Sequence, residues 1–187
     1  MGAGDHHRPL HGLRVIQGRD DDDSDPRCVA IWLRATAVSE AIRSQPWLWP
    51  ACEIAHFVGL SLLVGVVGFF DLRLLGLFKR VPLNAAWSLM PWGKLGFAIA
   101  ALTGVTFFVG APDQYINNVA FYAKLAFLVI AGLNAAAFEM FYSAAVKESA
   151  AVDATPPIYR TIAIVSIVSW FFVIYWGRML PFVGNAF

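Results

Sequence analysis

Charge is scarce in this chain. Only 14% of its 187 residues are Asp, Glu, Lys or Arg, where a soluble domain carries about 25%. That excludes an ordinary water-facing surface over most of the protein. The net charge is +1, so the basic footprint needed to hold a nucleic-acid backbone is missing, and no nucleic-acid partner is expected. Cysteine is almost absent. Cys28 and Cys52 have no CxxC or other metal-site spacing, which speaks against a zinc ribbon, a redox dithiol or a disulfide framework, and both read as structural. There is no phosphate loop, nucleophile elbow or HExxH motif. Histidine is scarce where it could matter. His6, His7 and His11 lie in a polar N-terminal stretch, and His56 alone lies within an apolar run.

What the chain has in plenty is apolar sequence. Hydrophobic residues make up 58% of it, with seven Trp and fifteen Phe. Four long runs stand out, at about 49–70, 91–110, 118–142 and 158–181. Each is near or above the roughly 20 residues that a membrane-spanning helix needs. In hydrocarbon only helices and closed barrels satisfy their backbone, and these runs are too long and continuous for barrel strands. The expected fold is all-α, a four-transmembrane-helix bundle occupying residues 27–187.

Ahead of the bundle, Val29, Trp32, Leu33, Thr36, Ala37 and Ile42 recur at near-helical spacing within residues 28–45. This predicts a short interfacial N-terminal helix. Pro46 ends it, and Trp47 and Trp49 mark the water boundary. Residues 1–26 carry the acidic run Asp20–Asp23 and few large apolar groups. They read as a disordered tail without the apolar core of a signal peptide.

Lys and Arg set the expected topology. The first loop carries Arg73, Lys79 and Arg80, and the third carries Lys147 and Arg160, but the second, Ala111–Asn117, has neither. Loops one and three should therefore face the cytoplasm, with both termini outside. His56 then lies roughly 10 Å below Trp49 at helical rise. Glu53, His56, Lys124 and Arg178 fall at similar depth near the outer ends of the spans. A second polar group, with Asp71, Arg73, Lys94, Asn134, Glu139 and Arg160, falls near the inner ends.

Ionisable groups within a span are costly and normally face a bundle interior or a wet cavity. Glu53-x-x-His56 puts a carboxylate and an imidazole on adjacent turns of one helix face. A di-iron site would need two such motifs and further Glu, and the chain has one. Two readings remain. The pair orients helices by hydrogen bonding, or a neutral His56 holds haem iron as the single protein ligand. In the second, Gly59, Gly65, Gly68 and Gly104 leave room for a macrocycle, although glycines in membrane helices more often permit close helix contact, and Lys124 or Arg178 faces its carboxylates. Lys124, flanked by Phe121, Tyr122 and Phe127, is either a desolvated acid–base group or a snorkelling stem. Asp71 and Arg73 read as a boundary ion pair, and the aromatics of the last run as packing or lipid-facing groups.

The stretch AIRSQPWLWPACEIAHFVGLSLLVGVVGFFDLRLLG (Ala41–Gly76) together with NNVAFYAKLAFLVIAGLNAAAF (Asn117–Phe138) resembles a bacterial family of small membrane proteins defined only as a domain of unknown function. The likeness covers about Val29 to Met179 and implies a bacterial membrane protein; with the loop charges, the expected location is the inner membrane with periplasmic termini. More distantly, His56, Arg73 and Lys124-Leu125 are similar to features of the HemJ-type protoporphyrinogen oxidases. That resemblance implies a haem b bound through a first-helix His, here His56, and a required Lys, here Lys124. Asp71-Leu72-Arg73-Leu74 stands where those enzymes have Pro-Arg-Leu. A looser likeness joins the chain to CopD-type copper-resistance membrane domains.

Three functional expectations follow. The first is a haem b or metal centre at His56, with Glu53, Lys124 and Arg178 around it and a redox partner. The second is a non-catalytic accessory or scaffold subunit whose polar clusters lock helices together. The third is a small metal or solute transporter, which four helices per chain would require to be a homo-oligomer. The lipid bilayer is a partner in all three.

Overall fold

The computed structural model describes residues 26–148 and 156–183. The tail expected at 1–26 lies outside these apart from Pro26, as do His6, His7 and His11. The elements in order are α1 (Pro26–Arg34), α2 (Ala37–Ser44), α3 (Leu48–Leu74), α4 (Leu83–Trp87), α5 (Met90–Gly110), α6 (Asp113–Ile116), α7 (Val119–Phe141), α8 (Ser143–Glu148) and α9 (Pro157–Met179). No strand occurs among the described residues. Four segments are long and apolar enough to cross a membrane: Leu48–Leu74, Leu83–Gly110, Val119–Phe141 and Pro157–Met179. The chain is a multi-pass helical membrane protein, with Ile54, Phe57, Leu102, Leu133 and Phe171 exposed along the spans where acyl chains would lie.

The bundle is built from two antiparallel hairpins, α3 with α5 and α7 with α9, joined where α3 meets α9. In the first, Gly59 faces Gly96 so closely that the backbones touch. A Cβ on Gly59 would stand 2.9 Å from the Ala100 nitrogen, and one on Gly96 only 2.6 Å from the Leu63 nitrogen. This corrects the expectation that Gly59 opens room for a ligand. It is a contact glycine, of the kind that brings membrane helices together.

The second hairpin is held by stacked Phe127 and Phe172 rings, 4.6 Å apart, and by side-chain amides on backbone carbonyls. Asn134 donates to Ile162 at 3.1 Å and Asn118 to Leu180 at 2.9 Å. The Asn118 side chain also caps α7 by accepting from the Ala120 nitrogen at 2.9 Å. By contrast, α5 and α7 barely approach each other. Two side-chain bridges cross that gap. Phe108 stacks on Phe121 with centroids 5.6 Å apart, and Lys94 meets Glu139 at 2.5 Å.

Two expectations need correcting at the helix ends. The single amphipathic helix expected over 28–45 is two helices. Thr36 donates to the Leu33 carbonyl at 2.6 Å and accepts from the Ser39 nitrogen at 3.3 Å, so it ends α1 and caps α2. The pair packs onto the bundle end, through an Arg34–Asp113 ion pair to α6 and Ile42 against Gly110. At the other end, α3 continues to Leu74, and Asp71 and Arg73 lie buried in its last turn. They do not form the expected ion pair, because positions two apart on a helix point to different sides. Arg73 Nε donates to the Val81 carbonyl at 2.5 Å. The main apolar core also lies at this end, where Phe70, Leu74, Leu83, Phe138, Val146 and Tyr159 close around the short helices.

Candidate functional site

His56 sits about two helical turns into α3, half-buried. Its Nδ1 lies 2.7 Å from the Thr103 hydroxyl on α5. That hydroxyl has one proton, and it back-bonds to the Ile99 carbonyl at 2.7 Å, with the Ala100 carbonyl at 3.2 Å. With that proton on the Ile99 carbonyl, the hydroxyl accepts from the imidazole, and the ring donates Nδ1–H. In the neutral ring Nε2 is then the bare nitrogen, free to accept a proton or bind a metal. Phe107 meets the ring edge-on, 5.5 Å between centroids. Gly104 lies beside it, and a Cβ there would come within 3.8 Å of Cε1.

This imidazole lines a cavity of about 400 Å³ between α3, α5, α7 and α9. Glu53, Lys124 and Arg178 line the same cavity, so the helices bring together all four residues that the sequence marked. Glu53, one turn before His56, accepts from the Trp49 indole at 3.0 Å. Lys124 is half-buried, and its stem runs over Gly177 of α9, with Nζ 3.7 Å from where a Cβ would stand. Among the described residues no hydrogen bond or ion pair holds the Lys124 ammonium. Arg178, at the last turn of α9, is exposed and lies over the Phe182 ring at 5.3 Å. The walls between these groups are apolar, from Leu60, Phe107, Phe121 and Val173. A cavity of this size with a few convergent polar groups has the character of a small-molecule site.

Tyr115 on α6 closes the cavity from the loop side. It lies outside the spans. Burial pushes its phenol above the usual value of 10.0, and the Glu53 carboxylate adds to the effect.

Comparison of the chain with protein-family models, with curated proteins and with solved structures finds no match in any of the three. The site therefore has to be read from its own chemistry.

Thr103, Tyr115 and Gly177 are parts of the site that sequence reasoning missed. Thr103 is one of several hydroxyls in apolar runs, and nothing in its spacing reveals that it faces His56 across two helices. Of the glycines expected to leave room, Gly104 does line the cavity. Gly65 and Gly68 have nothing within 4 Å of a built Cβ and do not line it. From the second polar group, Asp71, Lys94, Asn134 and Glu139 share a separate cavity at the opposite end of the bundle.

Proposed function

We propose that this protein binds haem b at the His56 end of its bundle and serves a redox role in the membrane. The observation that carries this reading is the Thr103 hydrogen bond, which leaves one imidazole nitrogen bare in a cavity that also holds two cationic side chains. Among the described residues no group of three or more His, Cys, Asp or Glu is placed to hold a metal ion. A lone imidazole suits a metal that brings its own in-plane ligands, as a porphyrin does. The residues present fit such a group.

His56 would hold the iron, with Thr103 fixing the imidazole through Nδ1. Lys124 and Arg178 would face the propionates, since cations near carboxylates favour the charged pair. Leu60, Phe107, Phe121 and Val173 would keep water from the bound group. Glu53, tied to Trp49, lines the same cavity. Haem held there would supply one-electron chemistry. A chain with one such centre needs an electron partner outside itself.

The same reading places the chain in a bacterial inner membrane with the His56 end periplasmic. The loop at that end, 111–117, has no Lys or Arg. The opposite end carries Lys79, Arg80, Lys147 and Arg160, the cytoplasmic signature.

The test is an absorption spectrum of the detergent-purified protein after expression with a haem precursor supplied. A Soret band is expected, lost in His56→Ala and weakened by haem release in Lys124→Met. A helical, monodisperse preparation without that band, or one whose band survives His56→Ala, overturns the proposal. In that case the accessory-subunit reading stands.

A further inference from the structure

The second cavity, at the Asp71 end, has a volume of about 340 Å³ and lies between α3, α5, α7 and α9. Most of its wall is apolar, with Leu63, Val67, Phe97, Leu128 and Trp170 among the lining groups. One carboxyl group in it is deeply buried. Asp71 is 4% exposed, and its Oδ2 is buried with no hydrogen-bond partner. The Ser166 side chain approaches the carboxyl from α9, yet it leaves Oδ2 unsatisfied.

A buried unsatisfied carboxylate oxygen is expensive. Here the cost is increased by position, since Asp71 lies in the last turn of α3, where the helix dipole disfavours a negative charge. The neighbouring cations are committed elsewhere. Lys94 at the mouth is paired with Glu139 at 2.5 Å. Arg73 is two positions away on the helix, directed to the Val81 carbonyl. Native proteins seldom retain an orphaned buried acceptor without a use for it.

We propose that this cavity binds a lipophilic primary amine in its ammonium form, with Asp71 as the counter-ion. The acceptor set on three helices matches a head group of three N–H donors. Asp71 contributes Oδ2. Asn134, whose amide nitrogen is occupied by the Ile162 carbonyl at 3.1 Å, has its carbonyl oxygen left. Ser166 contributes a hydroxyl oxygen. The apolar walls take the hydrocarbon body, and the ring of Trp170 lines the same space, where an aromatic face favours a cation. An inorganic cation is a poor match. It would have to shed its water in a pocket that offers a single carboxylate away from its mouth. The Lys94–Glu139 bridge spans the α5–α7 gap beside the cavity, so it stands where a ligand from the bilayer would enter. This site is separate from the His56 cavity and independent of any haem.

The experiment measures binding of 2-phenylethylamine and of its uncharged isostere propylbenzene to the full-length protein in detergent, by calorimetry. Saturable binding of the amine is expected, with propylbenzene at least tenfold weaker. Asp71→Asn should weaken the amine at least tenfold and change propylbenzene less than threefold. Should that variant fail to fold, the thermal midpoint of the wild-type protein decides: the amine raises it and propylbenzene at equal concentration does not. Equal affinity for the two compounds overturns the proposal, as does unchanged amine binding in Asp71→Asn. Loss of amine binding in Glu53→Gln instead would move the amine to the other cavity and equally defeat it.

Discussion

The Thr103 hydroxyl and His56 Nδ1, 2.7 Å apart, link α5 to α3 across the His56 cavity. The contact is small but directional. It holds the ring, and with the hydroxyl proton on the Ile99 carbonyl it leaves Nε2 as the bare nitrogen. Thr103→Val keeps the shape of the side chain and removes the acceptor. The expected loss of stability is about 1 kcal/mol, the net worth of one hydrogen bond. Haem retention should fall by about tenfold or more, as when the outer partner of a metal-bound His is removed. Thr103→Ser should restore both. Thermal midpoints and haem-release rates from the Soret band measure the two effects, and a Thr103→Val protein that holds haem as tightly as wild type would show that the ring needs no such support.

The bundle was legible in the sequence because the signal for a spanning helix is redundant. Each apolar run is long enough that no single residue decides it, and four helices long and apolar enough to span are observed. The grouping of Glu53, His56, Lys124 and Arg178 was also legible, because alternating spans place their ends at fixed depths and these four share one depth. What depth does not reveal is rotation about each helix axis. For that reason Thr103 was missed, Gly59 was assigned to a pocket when it lies in a helix contact, and Asp71 was paired with Arg73. Each of these depends on which way a side chain faces. In an apolar span with little amphipathicity, the sequence pattern leaves that facing undetermined.

The Gly59–Gly96 contact makes the helix-packing reading testable. A Cβ on Gly96 would stand 2.6 Å from the Leu63 nitrogen and 2.7 Å from the Gly59 carbonyl oxygen. Both are backbone atoms, so α3 and α5 must part. Gly96→Ala and Gly59→Ala should each cost about 1–3 kcal/mol, the usual range for overpacking. Gly65→Ala is the control. Nothing lies within 4 Å of its built Cβ, and replacing a helical glycine by alanine should be neutral or stabilising by up to about 1 kcal/mol. Thermal unfolding in detergent followed by circular dichroism separates the cases. Equal midpoints for Gly96→Ala and Gly65→Ala would mean that the two helices are not closely packed at that point.

Tyr115 and Glu53 allow the closed form of the His56 cavity to be tested by pH. Burial and the Glu53 charge raise the Tyr115 phenol above 10.0 in the folded protein. The folded state therefore keeps its proton at a pH where the unfolded chain loses it. The sign follows from linkage. The stabilising contribution is fully present below pH 10 and declines as the pH rises through the folded value, because the unfolded state then binds fewer protons. Glu53→Gln removes the neighbouring negative charge, so the Tyr115 titration should move down toward 10.0 without reaching it, since burial is the larger cause. Difference absorbance of tyrosinate between wild type and Tyr115→Phe isolates this one phenol among the chain's five tyrosines, and repeating the subtraction in the Glu53→Gln background gives the shift. A Tyr115 that titrates at 10.0 in both backgrounds would mean that α6 does not cover the cavity mouth, and that the His56 site is open to water from the loop side.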